Sequence, residues 1–277
     1  MAKPISSELE LRFKSALFLA IVSVALTYAG PRTFAALILV FAALMSWEWA
    51  HVVRGRGADS IFLLQIGASI AAGFLTLKNY PASAVGMIMG ATWASFWIHK
   101  KSDLASDPWW SAAGVYYAGF PAIALIAIRQ DPDYGFYAIL YLFLVVWSAD
   151  TGAFFTGRLM GGPKLAPSIS PNKTWSGLIG GAIVAGCAGI LFALWLQRTS
   201  VVALGALSVG LAIVAQGGDL GESFIKRAFG VKHSSGLIPG HGGVLDRLDG
   251  LVFAAIGAGL VAVIEDPLKP GRALLIW

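Results

Sequence analysis

The chain has 277 residues, of which 57% are hydrophobic and only 13% charged, with a formal net charge of +5. Soluble domains carry nearer a quarter of their residues as charge, so a mean hydropathy of +0.73 excludes an ordinary soluble enzyme, a disordered chain and a coiled coil. A single cysteine, Cys187, excludes a disulfide scaffold, and a polytopic membrane protein is what remains.

Nine stretches lack Asp, Glu, Lys and Arg and approach the roughly 20 residues that cross a bilayer as a helix. They are residues 15–31, 33–47, 60–77, 79–99, 108–128, 134–149, 174–197, 199–218 and 250–264. All are continuously apolar rather than alternating, which predicts helices and not barrel strands. The expected fold class is an all-α polytopic integral membrane protein of about nine transmembrane helices. Lys3, Arg12 and Lys14 precede the first stretch as they would a signal peptide, but eight further spans favour a retained helix.

Lys and Arg placement sets the expected orientation. With nine spans, Arg32, Lys78, Arg129, Arg198, Lys269 and Arg272 share one side, leaving 14 of the 20 basic residues on the other. The N-terminus is therefore placed in the cytoplasm and the C-terminus outside. This basic face accounts for the net charge without any nucleic acid. Two parts are expected: residues 1–130, with about five spans and short loops, and residues 131–277, with about four. The second part contains two cytoplasmic segments, 150–176 and 219–250, rich in Gly, Pro and charge.

Residues 216–250 hold eight of the chain's 35 charged residues. Asp219 and Glu222 are spaced i, i+3, as are Asp246 and Asp249, so each pair shares a face if the backbone is helical. Lys226, Arg227, Lys232 and Arg247 are interleaved with them, and His241 sits among glycines. Carboxylates at a membrane edge are costly unless paired or bound to cations. Hard oxygen ligands suit Mg²⁺, the basic residues suit phosphate, and the glycines admit close approach of backbone N–H groups to an anion. The pattern points to metal-assisted phosphoryl or nucleotidyl transfer; the competing reading is a set of solvated loop charges.

Ser223-x-x-Lys226-Arg227, Lys232 and Pro239-Gly240-His241-Gly242-Gly243-x-x-Asp246-Arg247-x-Asp249 resemble the signature of the phosphatidate cytidylyltransferase (CDP-diacylglycerol synthase) family. Ser148-Ala149-Asp150-Thr151-Gly152-Ala153-Phe154 and Ser170-Pro171-Asn172-Lys173-Thr174-Trp175-x-Gly177 resemble its other motifs, and Trp47-Glu48-Trp49 is a weaker echo. The likeness is sharp over about 148–250. Two positions depart: His233 stands where the family has Asp, and Ser176 where it has Glu.

The resemblance implies condensation of CTP with phosphatidic acid to CDP-diacylglycerol and pyrophosphate, with Mg²⁺. It implies Asp246 and Asp249 as metal ligands and Asp219 as a further one, through a second cation site. Asp150 would be a ligand or a ligand's partner. Lys173, Lys226, Arg227 and Arg247 would meet CTP or lipid phosphates; Lys232 would do so or be simply solvated. His241 would donate to a phosphate or the leaving group, or be a structural loop histidine, and Ser223 would bond a carboxylate or cap. The site would face the cytoplasm at a bacterial-type inner membrane, in phospholipid biosynthesis.

Phosphatidate would enter sideways from the bilayer, through a cleft that Glu48 and His51 could line. The other reading of Glu48 is a helix-end carboxylate flanked by interfacial Trp47 and Trp49. Gly177 and Gly181 form G-x-x-x-G, with Gly186 and Gly189 beyond, implying close helix packing within the chain or across a homodimer. Competing functions are a CTP-dependent lipid-alcohol kinase and, from another class, a transporter of an anionic solute.

Overall fold

The computed structural model describes residues 5–238 and 242–277, with side chains from Lys14 onward. Each of the nine apolar stretches falls in one long helix. These are α1 (Ile5–Ala29), α2 (Pro31–Arg54), α3 (Ser60–Leu77), α4 (Pro81–Lys100), α5 (Pro108–Gln130), α6 (Gly135–Met160), α7 (Trp175–Leu196), α8 (Val201–Ala228) and α9 (Leu245–Glu265). Length and composition qualify seven of them as membrane spans among the described residues, and these mark an integral membrane protein. The expectation was nine. Side chains of α1 are described only from Lys14, so Lys14–Ala29 alone is counted there, and α4 is diluted by Ser83, Thr92, Ser95 and His99.

Two features depart from the sequence reading. A short hairpin of β1 (Lys164–Ala166) and β2 (Ser170–Thr174) interrupts the helices, pairing Lys164 with Thr174 and Ala166 with Ser170. It starts after Gly161 and Gly162, whose φ of 61° and 97° close α6 in a conformation glycine adopts freely. In addition, α6 and α8 run well beyond their apolar stretches, and α9 starts before its own. Asp150, Asp219, Glu222, Asp246 and Asp249 therefore lie on helices, not in loops.

By their contacts the residues form two compact units: the chain up to Ile126 with Phe229–Leu248, and Ala127–Ala228 with Asp249–Trp277. In the first, small residues let helices approach, with Ala68, Ala72, Ala84, Ile88, Ala91, Val115 and Ile123 as one buried cluster. A polar latch ties α2, α3 and α5. Arg54, its side chain fully buried, donates to Asp59 through Nε at 2.7 Å and Nη2 at 3.0 Å, and to Ser111 Oγ at 3.2 Å. Asp59 also caps α3 by accepting from Phe62 N at 2.8 Å.

Burial pushes the Asp59 carboxyl up, but the Arg54 hydrogen bond, the Phe62 N–H and the charges of Arg54 and Arg56 outweigh it and hold the group below its ordinary range. Because the folded value is the lower one, this stabilisation is present above the unfolded value of about 4 and is lost as pH falls through the folded one. Asp59→Asn is expected to cost about 3 kcal/mol near neutral pH, since it strands a buried guanidinium. It should also flatten the loss of thermal stability below about pH 4. Melting curves in detergent across pH check both, and an unaltered acid limb contradicts the assignment.

In the second unit, α6 and α7 pack backbone to backbone. A Cβ on Gly181 would lie 2.6 Å from the Ala149 carbonyl, and one on Gly177 3.0 Å from that of Ala153. Gly186 and Gly189 face α8 in the same way, against Val209 and Ser208. The glycine pattern is thus used within the chain. Thr174 caps α7 by accepting from Gly177 N at 3.1 Å. A last short helix, α10 (Pro270–Leu275), docks through Asp131, which accepts from Arg272 N at 2.9 Å.

Candidate active site

The glycine before the first carboxylate builds the site in the second unit. A Cβ on Gly218 would meet the Asp249 carbonyl and the Phe253 Cβ, each at 2.8 Å, so only glycine lets α8 and α9 come this close. The approach gathers Asp219 and Glu222 from α8 with Asp249 from α9, their ligand oxygens all within 4.8 Å of one another. Glu222 is 3% exposed. Asp150, exposed on α6, lies within electrostatic reach of Asp249.

Two lysines oppose these charges. Lys173, presented by β2, places Nζ 2.6 Å from Asp219 Oδ2, and Lys226, one turn after Glu222, places Nζ 2.8 Å from Glu222 Oε2. The hairpin that carries Lys173 is tied to the start of α7: Ser176 Oγ donates to the Gly161 carbonyl and pairs with Thr174 Oγ. Serine at position 176 is therefore a strut of the hairpin. Three carboxylates against two ammonium groups leave a formal charge of minus one. That donor set, all hard oxygen and partly shielded from water, fits one divalent cation, after which the site would favour a polyanion.

In the first unit, the motif segment after α8 folds onto α2. Glu48, 0% exposed, accepts from Ser235 Oγ at 2.5 Å and Val244 N at 2.8 Å on Oε1, and from Ser234 Oγ at 2.9 Å and Leu245 N at 2.7 Å on Oε2. Asp246 Oδ2 accepts from Gly243 N at 2.9 Å and from Ser234 N and Oγ at 3.1 Å each. His233 Nδ1 stands 3.9 Å from the same oxygen. Arg227, Lys232 and Arg247 are exposed, and Ser223 is half-buried on α8. His241 lies outside the described residues.

Of the carboxylates expected to bind metal, Asp219 and Asp249 are brought together, and Glu222 joins them. Glu222 had no role in the sequence reading, although its spacing from Asp219 was the signal. Asp246 is not in that group, and one of its oxygens is held by Ser234 and the Gly243 N–H. Lys173 and Lys226, expected at phosphates, lie against the carboxylates. Trp49 is 3% exposed and donates through Nε1 to the Trp110 carbonyl at 2.8 Å, so it belongs to the core and not to the membrane interface. Cys187 faces outward from α7.

Membrane-length helices that carry a carboxylate–lysine cluster on their polar extensions define an integral membrane protein with a site suited to a cation and phosphate. Residues 10–264 match the cytidylyltransferase family, and the chain belongs to it. It is 41% identical over 265 residues to the phosphatidate cytidylyltransferase of Brucella suis biovar 1, covering 95% of this chain and 97% of that one. It is also similar to the enzymes of that name from Haemophilus influenzae, at 44% over 144 residues and half of each chain, and Staphylococcus haemolyticus, at 46% over 140 residues. The latter match covers 50% of this chain and 53% of that relative.

Proposed function

We propose that this protein is a phosphatidate cytidylyltransferase. A phosphate oxygen of phosphatidic acid attacks the α-phosphorus of CTP, the bond to the bridging α–β oxygen breaks, and pyrophosphate leaves as CDP-diacylglycerol forms. The single observation that carries the reading is the Asp219–Glu222–Asp249 cluster with its two lysines, standing where the family's motifs fall.

Displacement at phosphorus asks little covalent help from a protein, so positioning and charge neutralisation dominate. Asp219, Asp249 and Glu222 would hold Mg²⁺, and the resemblance assigns Asp246 a metal-binding role of its own. Bound there, the ion supplies the charge that offsets repulsion between the triphosphate and the lipid phosphate. Lys173 and Lys226 are held in place by Asp219 and Glu222, so each ammonium is already oriented when a phosphate arrives. Arg227, Arg247 and Ser223 add phosphate donors, and His241 donates a proton to the departing pyrophosphate. Asp150 sharpens the local negative field that selects a cation.

The reaction is placed at the cytoplasmic face of a bacterial inner membrane, where CTP is found and where the basic residues gather. At about 1.5 Å per residue, the 20 residues of α4 and the 25 of α1 reach bilayer thickness, which supports a count of nine spans. Purified protein given CTP, Mg²⁺ and either phosphatidic acid or a polyprenol tests the substrate. The proposal requires a CDP-lipid from phosphatidic acid alone. Phosphorylation of the alcohol, with CDP released, would instead identify a kinase.

A further inference from the structure

The first turn of α9 lacks a capping side chain of its own. The Val244 carbonyl accepts from Arg247 N at 3.1 Å and Leu248 N at 3.0 Å, which makes Val244 the N-cap and Leu245 the first helical residue. Their N–H groups have no partner within the helix, and neither valine nor the preceding Gly243 offers an acceptor. Glu48 provides one from α2, nearly 200 positions earlier. Its carboxylate takes both N–H groups, and its charge stands where the helix dipole favours an anion.

The same carboxylate takes the hydroxyls of Ser234 and Ser235, so all four hydrogen bonds come from residues 234–245. Ser234 Oγ lies 2.9 Å from Glu48 Oε2 and 3.1 Å from Asp246 Oδ2, one hydroxyl between two carboxylates. Space is tight: a Cβ on Gly243 would sit 2.0 Å from Ser234 Oγ and 2.6 Å from Glu48 Oε1. A carboxylate this deeply buried is costly unless each oxygen is satisfied, and here every bond reaches into the motif segment.

We propose that Glu48 is a positioning residue for the nucleotidyl transfer. It fixes Ser234, Ser235 and the start of α9, and so sets the direction in which Asp246 is presented. Glu48 acts through Ser234 and the helix terminus. The inference rests on the cytidylyltransferase reading for its kinetic consequence.

Glu48→Gln keeps the volume but turns one acceptor oxygen into an NH₂ group facing donors. The expected result is a kcat about 10–100-fold lower, the usual effect of removing a residue that orients a ligand, with KM for CTP moving far less. Hydrogen–deuterium exchange should quicken most over residues 234–238 and 242–248, with a lower melting temperature but a folded, monodisperse protein in detergent. Ser234→Ala/Ser235→Ala removes two donors and leaves the helix cap, so it should give the same pattern at about tenfold and serves if Glu48→Gln does not fold. Full kcat in either folded variant overturns the proposal. So does a loss of rate with unchanged exchange over 234–238 and 242–248. Should the wild type form no CDP-lipid, the functional reading fails instead, and the exchange experiment still decides whether Glu48 holds the segment.

Discussion

Asp249→Asn is expected to lower CDP-diacylglycerol formation by about 10³-fold, or about 4 kcal/mol of transition-state stabilisation, without loss of membrane insertion. Asparagine keeps the size of the side chain, and its amide can still accept from Gly250 N, which bonds Asp249 Oδ1 at 2.8 Å. What disappears is one of three negative charges packed within 4.8 Å. Lys173 and Lys226 remain, so the cluster becomes formally neutral and its attraction for a divalent cation collapses. Asp219→Asn should be as severe, and it also strands the Lys173 ammonium, whose side chain is only 18% exposed. Initial rates across a Mg²⁺ series, with size-exclusion profiles as the folding control, check both variants. A folded Asp249→Asn protein within tenfold of the wild-type rate would remove that carboxylate from the mechanism.

The largest structural effect is expected at Gly181→Ile, which should cost more than about 3 kcal/mol and leave little monodisperse protein in detergent. The Cβ alone would lie 2.6 Å from the Ala149 carbonyl and 3.1 Å from the Ala153 Cβ. Backbone cannot swing aside as a long side chain can, so α6 and α7 must part along their length. Neighbouring positions share the seam: a Cβ on Gly180 would strike the Thr156 side chain, and one on Gly152 would meet Val184 at 2.8 Å. Gly210 is the control. Nothing lies within 4 Å of a Cβ there, so Gly210→Ala should be neutral or gain up to about 1 kcal/mol from helix propensity. Equal melting temperatures for the two variants would show that close α6–α7 approach does not hold the unit together.

Helix number and order are legible because apolar runs of bilayer length have few other uses. Helix ends are not. A charge-free run stops at its first charge, but the helix continues wherever that charge has a partner. Lys226 pairs with Glu222 one turn away and Lys173 with Asp219, so α8 proceeds to Ala228 through residues that read as a loop. The hairpin was missed because proline at 163, 167 and 171 marks turns as readily as edge strands. Within the site, Asp219 and Asp249 could be picked out by motif and spacing. Glu48 stood out only as part of a weak motif echo and as a cleft-lining or helix-end carboxylate; its link to the start of α9 was not legible, because its partners lie nearly 200 residues downstream.

The proposed reaction transfers the α-phosphorus of CTP to a lipid phosphate. It is tested most directly by labelling CTP at the α- or the γ-phosphorus and following the label with purified protein, phosphatidic acid and Mg²⁺. The account predicts α-label in the lipid product and γ-label in pyrophosphate, in equal amounts and only with the metal. Label from the γ-phosphorus in the lipid, or intact CTP beside folded protein, would contradict it.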